Sequence, residues 1–435
     1  MNEFISLPWW VLVLLIVGIS SIASTIGSLF LSIGRRPDKL SVPENMPTVD
    51  SEDFLQAVSG VVNAPIQTGG KALLLNNGNK FFPEIVKAIN EAKVSVNFMV
   101  YIWSPGKASD MIFEAFYNAL KRGVEVRVLL DGFGGSKVDK KKLEQFKLAG
   151  GKVCWFRKAH FGKLTRFYKR NHRRAIIIDG QIGFLGGAAV EDKWLGDAKS
   201  PESWRDSMVM VTGSMAENLQ SAFSQVWADT QGEILLGSKY YPIAYEERRQ
   251  MDLSKHISVI SSPTSEFHPI SNVYYLTFKA ARTSIFMTHS YFVPDKALRE
   301  VLKESARAGV DVRVLLPNNY IDGQTIRWAS HKYFEEFLNA GVKIYEYQPT
   351  MIHSKTIVVD GKWSIVGSAN MDVRSTELNK ENILCILDDE FAIELEKTFL
   401  EDLKKAKRMR LGMWKKRAWP RKIRERVAAL FEEQY

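Results

Sequence analysis

Two histidines in this chain sit in the same local text. Around one of them, Ile352-His353-Ser354-Lys355 runs into residues 356–359, which are β-branched throughout, and closes on Asp360-Gly361. Such a run between a polar approach and an Asp-Gly turn predicts a short buried strand. On extended chain, residues two apart face the same way, so His353 and Lys355 project together at one end of it. A second apolar run, 363–366, then delivers Gly367, Ser368 and Asn370. An imidazole, an ammonium and an amide gathered at a strand mouth suit an oxyanion that carries a transferable bond.

The same text occurs upstream. Asn171-His172-Arg173-Arg174 leads into the apolar run 175–178 and Asp179-Gly180, followed by 182–185 and Gly186-Gly187. The spacing from His172 to Asp179 equals that from His353 to Asp360. A lone His-x-Lys would carry little weight. Two copies of H-x-[K/R]-x4-D-G, each followed by a strand and small residues, carry much more.

These paired motifs resemble those of the phospholipase D superfamily. More narrowly the chain looks like a bacterial cardiolipin synthase, in Tyr291-Phe292-Val293-Pro294-Asp295, in Val366-Gly367-Ser368-Ala369-Asn370-Met371-Asp372 with Arg374-Ser375, in Leu378-Asn379-Lys380-Glu381 and in Trp204-Arg205-Asp206. The likeness runs from about Lys71 to the C-terminus. It implies one shared active site in which one histidine attacks phosphorus and the other protonates the leaving alcohol and activates the incoming one. By that likeness His172 is the nucleophile and His353 the acid/base. Arg174, Lys355, Asn370 and Ser368 bind the phosphoryl oxygens, while Glu381 orients His172 and Asp206 orients His353. The motif aspartates Asp179 and Asp360 hold the local fold. The chain departs from the pattern in two places: Arg174 stands where lysine is usual, and Ala189 where many relatives have asparagine. No metal or other cofactor is expected, since no Asp/Glu/His cluster suggests one. His160, His256, His268, His289 and His331 lack a repeated partner spacing and are set aside as structural.

The elements that must position these groups are also duplicated. Helical spacing at 82–92, 111–121 and 143–148 alternates with strand-like runs at 94–102, 124–130 and 152–156. The order returns as helices at 273–281, 298–308 and 332–338 and strands at 284–292, 310–316 and 343–347. Arg122-Gly123-Val124-Glu125-Val126-Arg127-Val128-Leu129-Leu130 is echoed by 308–316. The reading is an α/β fold of two pseudo-symmetric phospholipase D-like modules, each a mostly parallel mixed sheet covered by helices. Residues 71–240 form the first and 241–403 the second, with 230–255 connecting them.

Outside the modules, residues 7–33 carry no charge and begin with Trp9-Trp10. About 20 apolar residues suffice to cross a bilayer as a helix, so 1–36 is expected to be an uncleaved transmembrane anchor. Arg35, Arg36 and Lys39 against Glu3 alone place the catalytic part on the cytoplasmic side, in a bacterial inner membrane. Residues 37–70 read as a linker with a short helix near 54–58. Residues 404–435 form a basic tail holding Trp414 and Trp419, which suits an anionic lipid surface. A net charge of +10 asks for acidic partners. The two cysteines, Cys154 and Cys385, are too few for a disulfide framework or a zinc site.

Together these readings imply a membrane-bound phosphatidyltransferase that joins phosphatidylglycerol molecules with release of glycerol. A phospholipase D with water as acceptor uses the same residues. A nucleic-acid phosphodiesterase fits the charge but not the apolar ends, and no nucleic-acid partner is expected. A non-enzymatic lipid-binding scaffold has only the two departures in its favour.

Overall fold

The computed structural model describes residues 8–31, 42–43, 45–157, 169–242, 254–262 and 267–431. The chain divides into two units, Met1–Asp38 and Lys39–Tyr435. In the first, α1 (Trp9–Leu31) leaves large apolar side chains exposed from Trp9 to Ile19. Among the described residues no helix is long and apolar enough to cross a membrane. The span expected at 7–33 reaches beyond the side chains described in this helix, which end at Ser21.

The second unit begins with α2 (Glu52–Val62), capped where Ser51 accepts a hydrogen bond from Phe54 N at 3.2 Å. Its buried face, Phe54, Leu55, Val58 and Val62, has helical spacing. Phe54 meets Trp363 edge to face at 5.3 Å, so part of the expected linker is core. β1 (Gln67–Thr68) follows. The first module has β2 (Ala72–Asn76), β3 (Ser95–Val100), β4 (Glu125–Asp131), β5 (Lys152–Phe156), β6 (Ala175–Ile178), β7 (Ile182–Gly186) and β8 (Ser207–Thr212), with α3 (Gly78–Glu91), α4 (Lys107–Lys121), α5 (Lys140–Leu148) and α6 (Gly213–Gln231). These strands form one sheet, in the order β2-β8-β7-β6-β3-β4-β5.

The second module repeats this with β9 (Lys255–Ile260), β10 (Ser284–Thr288), β11 (Phe292–Val293), β12 (Asp311–Pro317), β13 (Lys343–Tyr347), β14 (Thr356–Val359), β15 (Trp363–Gly367), β16 (Met371–Asp372), β17 (Asn382–Leu387) and β18 (Ala406–Arg408). Its helices are α7 (Pro269–Ala280), α8 (Lys296–Arg307), α9 (Gln324–Asn339), α10 (Asp389–Lys404), α11 (Leu411–Lys415) and α12 (Trp419–Ala429). The sheet order is β1-β9-β17-β15-β14-β10-β12-β13-β18, and β11 pairs with β16 separately.

The expectation of mostly parallel sheets is corrected. Parallel pairing in the two sheets is confined to β3/β4/β5 and β10/β12/β13. Each histidine-bearing strand turns at its Asp-Gly into the next strand as an antiparallel hairpin, and the neighbours beyond continue antiparallel. The sheets are therefore mixed, and the modules are α/β with helices packed on them.

One core joins the modules. Met99, Ile177 and Leu185 of the first sheet and Val358, Val366 and Leu384 of the second share a cluster with Phe223 and Trp227 of α6 and Leu395 and Phe399 of α10. Each such buried side chain contributes about 1.5–3 kcal/mol by leaving water. Cys154 and Cys385 are buried free thiols. The basic tail is not free of the fold. β18 extends the second sheet beside β13, and Trp414 is buried against Phe334 and His331, whereas Trp419 is exposed.

Candidate active site

The approach to each histidine strand is hung on the opposite module. Asn171 bridges to Lys380, and His172 N donates to Lys380 O at 2.9 Å. Arg205 bridges to Ile352, and His353 N donates to Arg205 O at 2.7 Å. Lys380 and Arg205 are the residues immediately before Glu381 and Asp206. Each module thus carries its own histidine and, one residue beyond a cross-module bridge, the acid that meets the other's.

Those acids reach the rings. His172 Nδ1 lies 2.7 Å from Glu381 Oε1, and His353 Nδ1 lies 2.9 Å from Asp206 Oδ2. At His172 a carboxylate on Nδ1 favours the tautomer whose Nε2 is a bare lone pair, and at His353 the same contact stabilises the imidazolium that a proton donor must be. All four side chains are buried, and His172 feels the charges of Arg174, Lys355 and His353 together. The two motifs therefore share one site.

The two half-sites are not copies of each other. Ser368 hydroxyl donates to Glu381 Oε2, so the serine expected to bind phosphate is committed to the carboxylate. The matching position is Gly187. A Cβ there would stand 2.6 Å from Asp206 Oδ1 and 2.6 Å from His353 O, which excludes any side chain. Asp206 is served instead by Trp194, whose Nε1 donates to Oδ2 at 2.8 Å, and by Ser207 N at 2.8 Å. Trp194 and Trp204 also pack on the His353 ring at 5.2 and 5.3 Å.

Cations complete the site. Lys355 Nζ donates to Ser290 Oγ at 2.7 Å and His353 O at 2.6 Å, and stands 3.0 Å from each His353 ring nitrogen. Arg174 Nη1 donates to His172 O at 2.8 Å, while its Nε and Nη2 are buried without a hydrogen-bond partner. Two orphaned guanidinium donors at a buried site are costly unless an anion arrives. Asn382 clamps the Arg174 backbone, accepting from its N at 3.0 Å and donating to its O at 2.9 Å. Asn370 is buried with Oδ1 unpartnered. Ala189 is buried apolar surface in the first half-site.

Burial dominates the electrostatics. It holds His172 well below the ordinary imidazole range, and with the Lys355 charge brings His353 down to about 4. It pushes Glu381 up to about 8, against the pull of Arg174 and Ser368. At Asp206 burial also pushes upward, but the His353 bond and the Lys355 charge outweigh it and hold the carboxyl low. Burial brings Lys355 down to about 7.

Asp179 and Asp360 lie at the far ends of the motif strands. Asp179 accepts from the backbone of Lys93, Val94 and Ser95, each at 2.8 Å, and Asp360 from Arg282, Thr283 and Ser284 at 2.8, 2.8 and 2.9 Å. Each ties its strand's end to the start of the strand beside it. Trp194, Ser290 and Asn382 had no signal in the sequence, since none repeats with the motif. Tyr101, which meets the His172 ring at 4.8 Å, lay inside a run read only as strand. Of the five histidines set aside, His256, His289 and His331 are buried, and His160 lies outside the described residues. Among the described residues no group of His, Cys, Asp and Glu is placed to hold a metal.

A family model described as cardiolipin synthase, PLD-like domain, matches residues 85–227 and 275–403. The chain is 34% identical over 367 residues to cardiolipin synthase 2 of Bacillus anthracis, covering 84% of this chain and 70% of that protein. It is 33% identical over 358 residues to cardiolipin synthase of Clostridium perfringens strain SM101, covering 81% and 75%. Among solved structures it is similar to phosphatidylserine synthase of Haemophilus influenzae Rd KW20, with a TM-score of 0.67 at 12% identity over 88% of this chain and 100% of that one. That last likeness concerns the fold alone.

Proposed function

The chain belongs to the cardiolipin synthase family of phospholipase D-like proteins, and from that membership we propose that it transfers a phosphatidyl group from one phosphatidylglycerol to another through a phosphohistidine. The observation that carries the reading is the pair of buried imidazoles, each held through Nδ1 by a carboxylate, beside two orphaned Arg174 donors. His172 Nε2 attacks phosphorus, the bond to the glycerol oxygen breaks, and His353 supplies that oxygen's proton. Glycerol leaves. His353 then takes the proton from the terminal hydroxyl of the second phosphatidylglycerol, whose oxygen displaces His172 to give cardiolipin. Arg174, Lys355 and Asn370 stabilise the phosphoryl oxygens as charge builds on them.

The charge-free stretch 7–33 and the exposed apolar side chains on α1 support a membrane anchor, with Arg35, Arg36 and Lys39 favouring a cytoplasmic catalytic unit in a bacterial cell membrane. Protease access to the catalytic unit in inverted but not right-side-out vesicles is the expected result.

The test of the reaction is lipid extraction from a cardiolipin-deficient bacterium expressing the intact protein, His172→Ala or His353→Ala. Cardiolipin from the intact form alone is expected, with a phosphatidyl adduct on His172 detectable by mass spectrometry after acid-free quenching. Phosphatidic acid in place of cardiolipin would make the protein a hydrolase. Unchanged lipids from a well-expressed protein would overturn the reading.

A further inference from the structure

The tail closes a second cationic site that the chemistry above does not use. Between α9, β18 and the two C-terminal helices lies a cavity of about 340 Å³. Seven lysine or arginine side chains line it, against one carboxylate, Glu346. That carboxylate is already taken by Arg327 at 2.7 Å and faces His331 at 3.3 Å. Lys407, Arg408 and Arg410 have no ion-pair partner among the described residues. Two further lining donors, Arg327 Nε and Trp414 Nε1, are buried without a hydrogen-bond partner. Every unmet group among these is a donor or a cation, so the complement is an anion rich in acceptor oxygens.

A second observation says what carries that anion. On α12, Trp419, Ile423 and Val427 recur every fourth residue and are 72%, 48% and 50% exposed, and Leu430 just beyond is 75% exposed. They form one apolar stripe facing away from the fold. The other face buries Glu425, Ala428 and Ala429. A free phosphate or a nucleotide gives no reason for that stripe beside the cavity, whereas a bilayer interface matches both the cations and the apolar row. A narrow neighbouring cavity shares Arg327 and His331 with the basic one and ends at Ser290 and Tyr291, beside Lys355. The surface thus lies at the β18 edge of the second sheet, and the narrow cavity links its lining to Ser290, the partner of Lys355.

We propose that this cavity and the α12 stripe form a docking surface for an anionic bilayer, with one lipid phosphate seated in the cavity and the stripe among the acyl chains below the headgroups. It holds the strand mouths of the second module against the membrane and is separate from substrate turnover.

The test is amide hydrogen exchange on the full chain in nanodiscs of phosphatidylcholine alone or with phosphatidylglycerol. Exchange across 407–430 should slow by about tenfold or more when the anionic lipid is present, and Arg408→Glu/Arg410→Glu should abolish that difference. Both arginines are exposed, so the double variant keeps its fold, and unchanged exchange in β14 and β17 checks this. Trp419→Ser/Ile423→Ser should weaken protection while leaving the cavity intact. His172→Ala should keep full protection, which separates docking from the proposed transfer reaction. Equal exchange in both kinds of disc would overturn the proposal. So would equal protection by inorganic phosphate with phosphatidylcholine discs, because the ligand would then be a free anion.

Discussion

At the scale of single residues, the site is governed by protons that burial has displaced. The His172–Glu381 pair must shed one proton before Nε2 offers a lone pair, and burial sets Glu381 at about 8. Activity therefore rises with pH toward that value. In the proposed reaction Lys355 acts as a cation, which it is below about 7 and ceases to be above. Activity therefore falls on the alkaline side, and kcat/KM should trace a narrow bell with its maximum between these values. Lys355→Arg should flatten the alkaline limb, since guanidinium does not titrate there, while lowering the rate through its different reach. Glu381→Gln should cost about 10³-fold or more in kcat, because an amide N–H on Nδ1 would select the wrong tautomer. Retention of the alkaline limb in Lys355→Arg would remove the lysine from this account. Gly187→Ser should drive a Cβ against Asp206 and lower stability by about 1–3 kcal/mol, with activity falling further than stability. Thermal melts and turnover measured on the same preparation separate the two.

At the scale of elements, the cross-module bridges decide the geometry. Arg205 carries the backbone partner of His353 and is itself pinned by Asp402 of α10 at 2.8 Å. Lys380 does the same for His172, pairing with Asp229 of α6 at 3.3 Å. Arg205 and Asp402 are both nearly sealed from water, so Arg205→Ala strands a buried carboxylate and should cost about 3–5 kcal/mol in unfolding free energy. Lys380→Ala should cost much less, because Asp229 remains exposed. Denaturant titrations of both variants compare them directly. The elements of 82–156 and 273–347, the duplication and the histidine motifs were legible in the sequence because periodicity and spacing are local, whereas β2, β8, β9, α6 and α10 drew no expectation. Strand pairing was not, since an apolar run buried on both faces reads the same in parallel and antiparallel company. Trp194 stayed hidden for a related reason: its partner, Asp206, is chosen by a 3₁₀ turn at Asp192–Trp194 and not by any spacing in the text. The tail's charge was plain, but its closure over a cavity depends on β18 joining β13.

At the scale of the whole molecule, one chain supplies both histidines, both carboxylates and the bridges between them. Mixing purified His172→Ala with His353→Ala should therefore restore no activity. Recovery toward a quarter of the intact rate would mean that sites form between chains. The unlike half-sites reach further than catalysis, because they give the duplicated architecture a direction. A serine set at 187 beside the native Asp206 would force that acid out of line. An alanine set at 368 beside the native Glu381 would take away the hydroxyl that steadies it. Each acid therefore comes with its own support from the same half, Gly187 and Trp194 with Asp206 and Ser368 with Glu381, and the two cannot be exchanged separately. Grafting one half's acid onto the other half's support should yield a folded protein with little turnover, and moving acid and support together should keep more of it.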